Sequence, residues 1–134
     1  MSTPRRAPSV AACSLLLLGV RLRLKVCGFG RSLAAVRRRG ERWPAVAARD
    51  TRLVEECTRT VTLAAAFFPG RAICLEQALA LFLVLRRRGV PAEIRVGVQP
   101  YPFAAHAWVE LDGAAVNEDE EFVRQFVVMP GVAR

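Results

Sequence analysis

The chain has 134 residues, 53% of them apolar and 24% charged, which suffices for one buried core and leaves little room for a second. Nine glycines and eight prolines exclude a collagen-like, low-complexity or disordered composition, and no solenoid or propeller period is present. The net charge of +8 is unevenly laid out: residues 1 to 40 hold nine Arg or Lys and no acid, whereas residues 91 to 134 hold three Arg against seven acids.

The N-terminus pairs Arg5-Arg6 with an apolar run ending Leu15-Leu16-Leu17-Leu18, and so imitates a secretory signal. The run is too short to span a bilayer, no small-residue cleavage site follows it, and Arg21, Arg23 and Lys25 come at once. Val10-Ala11-Ala12-Cys13 precedes the leucines, where a lipoprotein box would follow them. The expectation is a helix over about Ser9 to Val26, interrupted near Gly28 and Gly30, then a short helix from Ser32 to Arg39 ended by Gly40. This helix either covers the core or lies against a partner or membrane with its basic side outward. The basic surface is a solvated face or a site for an acidic partner, because charge sets attraction and not identity.

Asp50 can cap a third helix running to about Phe67, with Leu53, Val54, Cys57, Val61 and Ala64 on one face. Phe68-Pro69-Gly70 ends it, and Pro69-Gly70 permits a sharp turn before Cys74. Cys74 opens a fourth helix that is apolar on nearly all sides, which marks a central helix. Arg86, Arg87 and Arg88 fall in its last turn, where the helix dipole favours cations, and Gly89 and Pro91 stop it. The period then changes to two. Ile94, Val96 and Val98 form the inward face of a strand, Ala105 to Leu111 a second strand and Ala114 to Glu118 a third, with Asp112-Gly113 turning between the last two. Helices followed by an antiparallel sheet predict an α+β fold, with residues 1–66 as a helical layer of the same compact unit as the core in 67–134.

A thiol in the first turn of a buried helix meets unpaired N–H groups and the positive dipole end, so Cys74 is placed as a nucleophile. Cys13, Cys27 and Cys57 lie in apolar stretches and read as core thiols. The four cysteines form no C-x-x-C pair, and His106 is the single histidine. Neither a zinc site nor another cofactor is expected, and a reducing cytoplasm suits the chain. His106 opens the second strand and is the candidate base. A three-residue hairpin loop would set Glu118 opposite it, a two-residue Asp112-Gly113 turn Asp119. Either carboxylate would complete a nucleophile, base and orienter. The remaining acids of 118–121 read as solvated, Glu76 as helix capping, and Trp108 as core packing. The Cys74 N–H is a natural oxyanion donor, with no second donor legible.

Phe68-Pro69 through Cys74-Leu75, Leu85-Arg86-Arg87-Arg88-Gly89-Val90-Pro91-Ala92, and Phe103-Ala104-Ala105-His106-Ala107-Trp108-Val109-Glu110 with Asp112-Gly113 together resemble the lasso-peptide biosynthesis B2 proteins. The resemblance covers residues 67 to 122. It implies a papain-like, transglutaminase-type core with a Cys-His-acid triad, matched here by Cys74, His106 and Glu118; the family usually has Asp at that last position, which leaves Asp119 as rival. It also implies a cysteine peptidase that removes the leader from a ribosomally made precursor. The partners implied are the precursor leader, a separate B1-type leader-recognition protein and an ATP-using cyclase that receives the product. Two other readings are weighed beside it: acyl transfer to an amine, and a non-catalytic basic protein that binds nucleic acid or membrane. The basic residues are not interleaved with stacking aromatics, which disfavours nucleic acid.

Overall fold

The computed structural model describes residues 6–45, 50–68, 74–100 and 104–129. Four helices come first: α1 (Val10–Cys27), α2 (Phe29–Glu41), α3 (Thr51–Ala66) and α4 (Cys74–Arg87). Strands β1 (Glu93–Gln99), β2 (Ala104–Leu111) and β3 (Ala114–Ala115) follow, then a short α5 (Glu120–Val123) and β4 (Val127–Val128). The strands form one antiparallel sheet in the order β3-β2-β1-β4. The fold is α+β, as the switch of period predicts.

Local chemistry starts α1 and α3. Ser9 Oγ accepts from the Ala12 N–H at 3.1 Å and Asp50 Oδ1 from the Leu53 N–H at 3.1 Å, each satisfying a first-turn donor. α4 is buried continuously from Ala78 to Leu85 because α1, α2 and α3 and also β1 and β2 pack on it. One apolar cluster therefore joins Leu17 of α1, Leu33 of α2, Cys57 of α3, Leu79 of α4, Ile94 of β1 and Val109 of β2. A second, smaller cluster of Trp108, Val123 and Phe126 also packs beside the sheet. No helix among the described residues is long and apolar enough to cross a membrane.

Several expectations are corrected. The second helix begins at Phe29 and includes both Gly30 and Gly40. Only Gly28 breaks the path, with φ 81° and ψ 174°, a conformation open to glycine alone. Gly40 stays helical and is small for another reason: a Cβ there would meet Phe82 Cε2 and stand 2.7 Å from its Cζ, so it lets α2 and α4 approach closely. The third strand ends at Ala115 rather than Glu118. Cys27 is exposed, unlike Cys13 and Cys57, because it ends α1 on the solvent side. Pro69-Gly70 and the connection at Tyr101-Pro102 lie outside the described residues.

The arginines are not simply a solvated face. Arg37 donates to Ile94 O of β1 at 3.0 Å and Arg86 to Gly40 O of α2 at 3.0 Å. Arg88, expected on the last turn of α4, lies just past it, buried, and donates to Val84 O at 3.1 Å and Arg6 O at 2.6 Å. These guanidiniums tie α2 to β1, α4 to α2, and the segment before α1 to the end of α4 through backbone carbonyls.

Candidate active site

Cys74 is the first residue of α4 and half-buried. Burial pushes its thiol up, but a hydrogen bond with His106, the backbone N–H groups of Ala107 and Leu75 and the nearby imidazole outweigh it, and the net shift is downward. β2 thus supplies two of the groups that hold the sulfur, the ring of His106 and the amide of the next residue. Cys57 shows the contrast: burial pushes it up to about 11, and Cys13 is raised by burial too.

His106 Nε2 lies 2.7 Å from Glu118 Oε1. A carboxylate only accepts, so Nε2 carries the proton and Nδ1 is left to face the thiol. The His106 pKa is raised, first by the hydrogen bond with Cys74, against the opposing effect of burial, and further by Cys74's charge and by Glu118. Its side chain is 12% exposed. Phe122 meets the ring edge-on at 5.1 Å, Phe126 lies at 5.6 Å, and Trp108 stacks at 6.2 Å. The imidazole is fixed by a carboxylate at one nitrogen and by three aromatic rings around it.

The turn between β2 and β3 is the two-residue form, with Leu111 opposite Ala114 and both Asp112 (φ 54°) and Gly113 (φ 82°) left-handed. By register alone Asp119 would then oppose His106. It does not reach it, because the strand stops: Asn117 Oδ1 accepts the Val109 N–H at 3.0 Å and the chain leaves the ladder. This departure brings Glu118 to the imidazole. Asp119 instead caps α5, accepting the Glu121 N–H at 3.1 Å. Glu120 accepts the Ala115 N–H at 2.7 Å, so of the three acids read as solvated two have structural partners.

Trp108 is buried and its Nε1 donates to Glu110 at 2.9 Å, in keeping with the expectation of core packing. Glu76 is more than a helix cap. It is 5% exposed and takes a two-pronged bond from Arg21, Nε to Oε2 at 2.9 Å and Nη2 to Oε1 at 3.1 Å, while the same guanidinium lies 4.4 Å from the Phe68 ring centroid. Asn117, Phe122 and Phe126 were not singled out from the sequence. The apolar pair at i, i+4 in Phe122-Val-Arg-Gln-Phe126 was the available signal. Gly97, opposite His106, is small because a Cβ there would stand 2.8 Å from Phe126 Cβ and 2.9 Å from Trp108.

The model of the transglutaminase-like superfamily matches residues 15–130, reaching back into α1, well before the motif-bearing 67–122. The microcin J25-processing protein McjB of Escherichia coli is 38% identical over 45 residues, which are 34% of this chain and 22% of that protein. The matched stretch is thus under a quarter of that relative's length. No solved structure matches the chain.

Proposed function

The chain belongs to the transglutaminase-like superfamily, and from that premise we propose that it is a cysteine peptidase of the lasso-peptide B2 type, removing the leader from a precursor peptide. The observation that carries this reading is the line of contacts from the lowered thiol of Cys74 through His106 to Glu118; the similarity to a microcin-processing protein supports the choice of substrate. In the proposed reaction the Cys74 thiolate attacks the carbonyl at the leader–core junction. The Cys74 N–H, at the start of α4, faces the developing oxyanion. The His106 imidazolium gives its proton to the leaving amine, water attacks the thioester with His106 as base, and the thiolate returns. Glu118 holds the ring in the tautomer this needs. The proposal includes a separate leader-recognition protein, as the B2 resemblance implies, and a cyclase downstream.

The test is to incubate the chain with a candidate precursor and recognition protein and weigh the products intact. Free leader plus free core, lost in Cys74→Ala and His106→Ala with the fold retained, is the expected result. An amine adduct or cross-linked product would replace hydrolysis by acyl transfer, and cleavage that survives Cys74→Ala would remove the reading.

A further inference from the structure

A cavity of about 540 Å³ opens between α1, α2 and the C-terminal end of α4. Cys74 begins α4 and Arg87 ends it, so a rise of about 1.5 Å per residue places the cavity end of the helix roughly 20 Å from the thiol. The peptidase reading makes no use of it.

The cavity has an apolar lining, with Leu16 and Val20 of α1, Val36 of α2, Leu83 and Val84 of α4, and Trp43. Five exposed arginines also line it: Arg23, Arg38, Arg39, Arg42 and Arg87. No acid is among the lining residues, and the side chains of these five make no ion pair or hydrogen bond with another described residue. They differ in this from Arg37, Arg86 and Arg88, which tie elements together. Like charges gathered around one hollow repel one another and oppose the compact state, and nothing in the lining offsets that repulsion.

We propose that this cavity is the docking groove for an acidic, amphipathic segment of a partner polypeptide. Apolar side chains of the segment would enter over Leu16, Leu83 and Trp43, and its carboxylates would pair with the arginine forks, whose planar geometry matches carboxylate two-pronged. An amphipathic helix laid in a groove needs this combination of apolar floor and charged rim. Nucleic acid fits less well, since a single-stranded track is served by successive stacking rings along a charged groove, and Trp43 is the one aromatic among the described residues of this lining. A lipid surface fits less well too, because apolar residues would have to protrude, and here they line a hollow.

The chain supplies its own probe. It has two tryptophans; Trp43 is half-buried against the cavity, and Trp108 is buried beside the candidate active site. The full-length protein is titrated with a synthetic helical peptide bearing leucines at i, i+3, i+4 and i+7 and glutamates on its flanks. A scrambled peptide of the same composition, polyglutamate, a DNA duplex and anionic lipid vesicles are run in parallel. The expected result is saturable binding of the amphipathic peptide with a shift in emission that disappears in Trp43→Phe. Binding should be at least about tenfold weaker in Arg38→Glu/Arg42→Glu and retained in Cys74→Ala, which separates it from the peptidase reading. Equal binding of the scrambled peptide or polyglutamate, tighter binding of DNA or vesicles, or an Arg38→Glu/Arg42→Glu variant that binds as the wild type would overturn the proposal.

Discussion

At Cys74 and His106 the two shifts run in opposite directions, and the signs determine where the pair is charged. The thiol is lowered, so the thiolate is lost only as pH falls through that lowered value; the imidazole is raised, so the imidazolium is lost only as pH rises through the raised one. Between those limits thiolate and imidazolium coexist, and the proposed reaction needs both. Cleavage should follow a bell whose acid limb reports mainly Cys74 and whose alkaline limb reports mainly His106. Glu118→Gln removes a charge that raises His106. The imidazolium is then less stable, so the alkaline limb should move down while the acid limb, set by the Cys74 thiol to which Glu118 makes no direct contribution, stays nearly in place, with the maximal rate falling by on the order of 10²-fold or more. The acid limb can be read separately from alkylation of Cys74 by a neutral reagent, in a Cys27→Ser background because Cys27 is also exposed. An unmoved alkaline limb in Glu118→Gln would show that Glu118 does not act through His106.

At the scale of elements, glycine shows what one letter can and cannot say. Gly28 and Gly40 read alike as helix punctuation, yet Gly28 is required by its φ and Gly40 by the ring of Phe82. Gly40→Ala should therefore destabilise the fold by roughly 1–3 kcal/mol despite the better helix propensity of alanine, because Phe82 is buried and has little room to move. Denaturant melts of the variant measure this; a more stable variant would mean that α2 and α4 separate freely. Elements whose signal is local were legible in the sequence. The face of α3 follows from Leu53, Val54, Cys57, Val61 and Ala64, all buried, and the central position of α4 from its near-continuous apolar surface. The turn at Asp112-Gly113 was legible too, but not its length, which the residues left open between two and three and which the structure sets at two. What register counting could not supply was the point at which the ladder ends, because that depends on the Asn117 side chain taking the Val109 N–H. Cys74, His106 and Glu118 were thus named from sequence, while the reason Glu118 is favoured over Asp119 is a tertiary one. The aromatic surround of His106 is tertiary as well, since Phe122 and Phe126 pack beside it from α5 and the turn that follows.

Across the whole molecule the N-terminal basic charge divides into arginines that the fold consumes and arginines that it leaves outward. Arg21 is of the first kind. In the sequence it stands with Arg23 and Lys25 in a basic stretch open to solvent or to an acidic partner, but its guanidinium is committed to Glu76, two residues after Cys74, and lies over Phe68. Glu76 gains from the positive end of the α4 dipole, and Arg21 neutralises a carboxylate that is nearly buried. The pair therefore links α1 to the turn of α4 that carries the candidate nucleophile, and gives the helical layer a part in holding that turn. Glu76→Ala should lower the thermal midpoint by several degrees and also slow alkylation of Cys74, because the first turn of α4 loses its tie to α1. Arg21→Ala should do the same, and the double variant should lose little beyond either single change, since each breaks the same contact. Arg23→Ala, outside the pair, should leave both readouts near the wild type. If the Glu76 and Arg21 effects simply add, or if alkylation is untouched while stability falls, α1 supports the fold without positioning Cys74.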